Sequence, residues 1–386
     1  MGEWKEYKLG EICDVRDGTH DSPKECSYGK PLVTSKNIKE GRIDLINTYL
    51  ISDEDYDYVN QRSKVDVWDI LFSMIGTVGE CAIVKDIVPF AIKNVGLFKT
   101  GGNELLAKWI YYYLRSNIAK AEINAKMKGS TQQYISLGDL RTFPILLPSV
   151  ETQRYIVGIL ECLDDKIDLL HRENKTLEAM AETLFRKWFV EEVRQEVSLG
   201  NVVETTSGGT PSRKHEEYYQ NGDIDWVKSK ELNRSFILKT EEKITLEAVE
   251  NSSAKYLPAN SVLIAMYGAT VGEYAIIAKE MTCNQAICAL KPNDNYPYTY
   301  LYLWAKFMQD EFLNLACGAA QQNISQVLIK QQQVCGDEDA IKRFHSIVGP
   351  FFEKIKQNEI QLSSLEEMKN MILPKLMNNE LKIDEL

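Results

Sequence analysis

At 386 residues the chain is long enough for two to three average domains and a substantial core. Its 44% hydrophobic, 10% aromatic and 26% charged residues describe an ordinary globular protein and exclude a small stapled scaffold or a long disordered tail. A formal net charge of −11 speaks against a protein that coats nucleic acid non-specifically. The apolar runs, such as Ile70 to Ile75 and Val262 to Met266, fall far short of the roughly 20 residues needed to cross a bilayer. The N-terminal Met-Gly-Glu-Trp-Lys-Glu lacks the apolar segment of a signal peptide, so a cytoplasmic location without membrane contact is expected. The eight cysteines contain no C-x-x-C pair and none stands near a histidine at zinc-ligand spacing, so buried reduced thiols and no metal are expected.

Along the chain, Ile70–Met74 and Cys81–Val84 read as short buried strands around a glycine turn, and Val262–Met266 with Tyr274–Ala278 repeat them. Glu104 to Lys126 has helical apolar spacing without Pro or Gly, and Tyr298 to Leu315 takes the equivalent place. These pairs belong to an internal repeat with an offset near 190 residues. Lys8-Leu9-Gly10 with Gly18-Thr19 returns as Ser198-Leu199-Gly200 with Gly209-Thr210, and Val33-Thr34-Ser35-Lys36 returns as Val227-Lys228-Ser229-Lys230. Ser73-Met74-Ile75-Gly76-Thr77-Val78-Gly79-Glu80 matches Ala265 to Glu273 with one insertion, and Gly129 to Ser136 matches Gly318 to Ser325. Four blocks in one order make chance a poor explanation. The paired glycines Gly76/Gly79 and Gly268/Gly272 are read first as tight strand connections.

Each copy closes with a helical segment. Leu163, Ile167, Leu170, Asn174, Leu177, Ala181 and Leu184 alternate spacings of four and three, a heptad seam. Ile355, Asn358, Leu362, Leu365, Lys369, Ile372 and Leu376 alternate likewise, ending near Pro374, which suits a last helical turn poorly. Either the two stripes pack on one another, with Asn174 and Asn358 fixing register, or each lies at a solvated edge. The formal charge is −1 over residues 1–149, −4 over 150–196, −3 over 197–336 and −3 over 337–386, so acidic helices are attached to less acidic domains.

The duplicated Met74-to-Glu80 and Met266-to-Glu273 motifs, the Gln132-Gln133 and Gln321-Gln322 blocks, and Leu147-Pro148 followed by Glu151-Thr152-Gln153 resemble the specificity subunit of type I restriction-modification enzymes. The resemblance covers essentially the whole chain, though Val334-Cys335-Gly336-Asp337-Glu338 before the second helix lacks the Leu-Pro entry of the first. It implies an α+β architecture in which two related mixed α/β target-recognition domains, 1–149 and 197–336, alternate with helical spacers, 150–196 and 337–386. The two long helices would pair as an antiparallel coiled coil, seamed by the leucines and isoleucines above, and act as a ruler between two half-sites of a bipartite double-stranded DNA target. It further implies two methyltransferase subunits and translocating restriction subunits as partners. S-adenosylmethionine, ATP and Mg would belong to those partners, with none in this chain.

Consistent with a non-catalytic role, the sequence carries no G-x-x-x-x-G-K-[ST] loop, no G-x-G-x-x-G and no Asn/Asp-Pro-Pro-aromatic tetrapeptide. Ser207 to Lys214 resembles a phosphate cradle in composition but has the wrong order of Lys and Ser/Thr. By chemistry and loop context, the DNA-contact candidates are Thr19, His20, Ser35, Lys36, Asn37, Gln132 and Gln133 in the first copy. In the second they are Thr210, Ser212, Arg213, Lys228, Lys230, Arg234, Gln321 and Gln322. Two other readings stay open: a methyltransferase or nuclease with drifted motifs, and a duplicated protein- or glycan-binding scaffold, the latter mildly favoured by the near-neutral repeats.

Overall fold

The computed structural model of the chain describes residues 4–86, 89–317, 323–378 and 380. It divides into two compact units, Met1–Lys166 with Leu365–Leu386, and Ile167–Ser364, so each long helix contributes residues to both.

In the first unit a four-stranded antiparallel sheet has the order β1 (Asp14–Asp17), β7 (Val95–Lys99), β4 (Ile70–Ser73), β5 (Cys81–Ile83). Every residue of β4 is buried, which explains why the sequence shows an unbroken apolar run rather than alternation. Beside it lies a three-stranded sheet, β3 (Tyr49–Ile51), β2 (Lys30–Val33), β6 (Ala91–Ile92), in which β2 and β6 run parallel. The segment from Glu104 to Lys126 forms two helices rather than one: α1 (Glu104–Leu114) and α2 (Asn117–Lys126). Ser116 makes the break by capping α2, its side chain accepting from the Ala119 amide (3.3 Å).

The second unit repeats this plan. Its large sheet has the order β8 (Glu204–Ser207), β15 (Ile287–Lys291), β12 (Val262–Ala265), β13 (Tyr274–Ile277), extended by β10 (Phe236–Ile237), which joins β13 in parallel. Its small sheet has β9 (Ile224–Val227) between β11 (Lys243–Ile244) and β14 (Thr282–Cys283), with β9 and β14 parallel. The following helical stretch is again double, α4 (Tyr298–Phe307) and α5 (Gln309–Cys317), separated at Met308.

The long helices are α3 (Val150–Phe185) and α6 (Glu338–Met377), 36 and 40 residues or about 54 and 60 Å at 1.5 Å per residue. Within the second unit they run antiparallel: the Phe185 and Phe344 rings lie 5.8 Å apart, and further along the Asn358 amide donates to Asn174 Oδ1 (2.8 Å). That amide also reaches Glu173 (2.9 Å), while Asn174 donates to Glu359 (2.9 Å), so the polar pair inside the seam is satisfied. Leu170, Ile355 and Leu362 are buried, and Leu163, Ile167, Leu177, Leu184, Leu365 and Ile372 partly so, which excludes the solvated-edge alternative. Pro374 does not stop α6; the turn continues to Met377 because a proline there forfeits one amide bond while Leu373, Leu376 and Met377 are buried in the first unit's core.

In each unit the helix after the large sheet is tied to the long helices by ionic and phenolic contacts. Tyr112 of α1 donates to Asp164 (2.9 Å), which also receives Lys369, and Lys108 pairs with Glu161 (2.6 Å). In the second unit Tyr302 and Lys306 of α4 both contact Glu178 (2.9 Å each), and Tyr298 donates to Glu353 (2.9 Å). Burial drives the Tyr302 hydroxyl well above its ordinary pKa, with Glu178 adding to it, so the phenol acts as a donor.

Candidate nucleic-acid interface

The strand register gathers the repeated motifs at one end of the large sheet. In the first unit Asp17 faces Gly96 and Ser73 faces Val95, so the segments after β1 and β4 and the segment before β7 emerge together. In the second unit Ser207 faces Cys288 and Ala265 faces Ile287, which brings out the segments after β8 and β12 and before β15.

Hydrogen bonds lock these segments in the same way twice. The Thr19 amide donates to the Ile92 carbonyl (3.0 Å) and Lys93 to Val33 (2.9 Å); Gly209 donates to Cys283 (2.9 Å) and Asn284 to Val227 (2.9 Å). This equivalence corrects the sequence alignment by one residue: Gly208-Gly209, not Gly209-Thr210, occupies the place of Gly18-Thr19. A side chain at Gly18 would come within 2.4 Å of the Ile92 carbonyl oxygen, and one at Gly208 within 2.0 Å of the Cys283 oxygen, so close backbone approach demands glycine at both. His20 is therefore the positional counterpart of Thr210 in the repeat. His20 Nδ1 lies 2.8 Å from Asn94 Oδ1, and the Thr210 hydroxyl donates to Gln285 Oε1, so both contact a carboxamide at the start of the central strand.

Sequence alone does not single out Asn94 and Gln285. The available signal was their offset of 191 residues, within the repeat, and the capacity of a carboxamide to read an adenine edge.

Val33 and Val227 each lead into a 3-10 turn, Ser35–Asn37 and Ser229–Glu231. Asn37 is buried, its Oδ1 accepting from the Thr34 amide (2.9 Å) and its Nδ2 donating to the Asn47 carbonyl (3.0 Å). Glu231 accepts from the Lys228 amide in the same position (2.7 Å). Ser35 is also buried and donates to the Asn94 carbonyl (3.3 Å). Ser35 and Asn37 thus shape the turn instead of presenting polar groups to a ligand, whereas Lys36 between them is exposed.

The glycine motifs are tight strand connections, as their spacing suggests. Gly76, Gly79, Gly268 and Gly272 all have positive φ (81, 103, 68 and 80°), and the insertion in the second copy is taken up by a 3-10 turn, Gly268–Thr270. In the first unit the turn is covered by the glutamine block. The Gly76 amide donates to the Gln133 carbonyl (3.0 Å), and Ile135 donates to Met74 (3.0 Å). Gln132 and Gln133 are exposed in a short hairpin closed by two Lys128–Tyr134 backbone bonds of 2.9 Å. In the second unit Ile324 donates to Met266 (2.9 Å), the same contact; Gln321 and Gln322 lie outside the described residues.

The basic candidates of the second unit are internally paired. Arg213 forms a two-pronged contact with Glu242 (2.7 Å for Nη2) and stacks over Tyr219, 4.0 Å from its ring centre. Lys228 reaches Glu241 (3.3 Å) and Glu242 (3.5 Å), and Lys230 pairs with Glu241 (2.6 Å). Hydrogen bonding from Lys230 and Lys228 holds the Glu241 carboxyl below its ordinary pKa, and Arg213 does the same for Glu242. Ser212 is exposed and accepts from the Lys214 amide (3.4 Å). In the first unit His20 Nε2 lies 3.0 Å from buried Asp17, which also pairs with Arg62. Arg234 is placed elsewhere: it clamps Glu273 (2.6 and 2.8 Å), its carbonyl accepts from Tyr302 of α4, and it is not brought together with Thr210.

Among the described residues no three His, Cys, Asp or Glu side chains converge as a metal site, and no helix is long and apolar enough to cross a membrane. Burial pushes the thiols of Cys13, Cys81, Cys283 and Cys288 up to about 12, which makes them poor nucleophiles.

The model of the type I restriction modification DNA specificity domain matches this sequence twice, over residues 1–179 and 191–334. The chain belongs to that family. The HindI specificity subunit of Haemophilus influenzae is similar to it, 24% identical over 473 residues and aligned across 99% of this chain and 100% of its own. The MjaIX specificity subunit of Methanocaldococcus jannaschii is 23% identical over 421 residues, covering 100% of this chain and 95% of its own. In fold, the chain resembles the S subunit of a type I restriction-modification system from M. genitalium, with a TM-score of 0.65 at 16% identity over 97% of this chain and 96% of that one. Each matched stretch contains one of the two large sheets together with its copy of the repeated segments.

Proposed function

We propose that this chain is the sequence-reading subunit of a type I restriction-modification complex and binds a bipartite DNA target, one half-site at each large-sheet end. The observation that carries this reading is the duplicated constellation: Asn94 with His20 and Gln285 with Thr210, each beside a glycine turn, at equivalent places in two domains of one chain. Loop side chains on a rigid hydrogen-bonded frame suit base-edge recognition, while exposed cations supply phosphate contacts. Two methyltransferase subunits dock on the chain, restriction subunits join the larger complex, and S-adenosylmethionine, ATP and Mg are bound by those partners.

Methyl transfer to DNA, measured with S-adenosylmethionine for the chain alone and for the chain purified with its co-expressed methyltransferase, tests this division of labour. Transfer is expected only from the assembly; transfer by the chain alone would overturn it. The antiparallel helices serve as a ruler between half-sites, so inserting one heptad into both α3 and α6 should lengthen the preferred spacer. An unchanged spacer would reject the ruler.

A further inference from the structure

The contact between glycine turn and glutamine block contains a reciprocal exchange of residues. In the first unit Ile75 of the turn bridges Tyr134 of the block; in the second Tyr267 of the turn bridges Asn323 of the block. The flanking bonds, Ile135 to Met74 (3.0 Å) and Ile324 to Met266 (2.9 Å), establish that these are the same two positions. Each unit therefore places one tyrosine at this bridge, but on opposite strands of it. Both rings stand out of the core, Tyr134 at 42% and Tyr267 at 41% exposure, while the neighbouring residues Met74, Ile135, Met266 and Ile324 are buried at 6% or less. Among the described residues, a Cβ on the adjacent Gly76 or Gly268 would meet nothing within 4 Å, which leaves room for a ligand beside each tyrosine. An aromatic ring kept at the same bridge while the strand that carries it switches points to a requirement for a ring there, since core packing is already satisfied by the buried flanks.

We infer that Tyr134 and Tyr267 are DNA-positioning residues, each packing its ring against the half-site held by its own unit. This rests on the proposed DNA-reading function. The aromatic face supplies a large, rigid contact to sugar or base with little rotamer entropy to lose, and holds the duplex so that the neighbouring carboxamides meet base edges.

The test uses the full chain with its co-expressed methyltransferase, sequence selection from a randomised duplex pool, and direct binding to the selected duplex. The wild-type assembly should select two defined blocks. Tyr134→Ala should weaken binding about tenfold and relax one block, Tyr267→Ala should do the same for the other block, and both proteins should keep the wild-type melting temperature. Tyr134→Phe and Tyr267→Phe should restore binding and both blocks. Alanine variants that bind and select like wild type, phenylalanine variants as defective as alanine, or relaxation of both blocks by either change would overturn the inference. If wild type selects nothing, the DNA-reading function itself fails, a result distinct from these.

Discussion

The two recognition units share a backbone and differ in what they display on it. In the first, the residue three positions past β1 is His20, held between Asn94 and Asp17; in the second, the residue three positions past β8 is Thr210, which donates to Gln285. The second unit adds Arg213, Lys228 and Lys230, each restrained by Glu241 or Glu242, where the first offers exposed Lys36 and a Lys93 bonded to Ser22 (2.6 Å). The frame is repeated because close backbone contacts permit few residues there; the displayed side chains diverge because little in the frame constrains them. A protein that reads two different half-sites needs this separation of frame from reading head.

The largest effect is expected from Leu170→Asp, which places a charge at a seam position 1% exposed and should cost about 4 kcal/mol in urea unfolding. Size-exclusion chromatography should show failed assembly with the methyltransferase while both domains stay folded; normal assembly would count against the seam. Next, Gly18→Ala and Gly208→Ala should each cost about 3 kcal/mol, since the new methyl meets backbone. Gly76→Ala and Gly268→Ala, strained in φ but facing open space among the described residues, should cost about 1 kcal/mol. Equal costs across these four would show that the frame is not set by close approach.

Asn358→Leu should destabilise the second unit by about 2 kcal/mol, because it removes the donor to Asn174 Oδ1 inside the seam, measurable by thermal unfolding. The smallest effect separates the units electrostatically. Replacing Glu241 and Glu242 together by Gln should release Arg213, Lys228 and Lys230 and tighten DNA binding several-fold at low salt, with a steeper salt dependence. Because both carboxyls titrate below their ordinary values, their pairing is complete at neutral pH and is lost only as pH falls through those lowered values. Acidification to just above the ordinary carboxylate range should therefore not mimic the double substitution.

Much of the frame was legible in the sequence because its causes are local and repeated. Buried strands such as Ile70–Ser73 appear as apolar runs, the glycine turns keep their spacing, and the seam keeps its alternation of three and four. The helix break at Ser116 was hidden because a serine inside an apolar helical pattern signals a cap only once the chain turns there. The candidate site was less legible. Asn37 and Lys36 are adjacent polar residues, yet one caps a buried turn and the other faces solvent, a distinction made by the tertiary hydrogen bond from Asn37 to Asn47. Asn94 and Gln285 were overlooked since their importance comes from the strand register, which juxtaposes them with His20 and Thr210 across more than 70 residues of chain.

The most direct test of two reading heads on one repeated frame is sequence selection from a randomised duplex pool by the assembly of this chain with its methyltransferase, performed with wild type and with Asn94→Ala and Gln285→Ala. Two short defined blocks around an undefined spacer are expected, with each substitution relaxing one block and sparing the other. Absence of any enriched motif at low salt, or a single contiguous block changed by both substitutions, would contradict two reading heads.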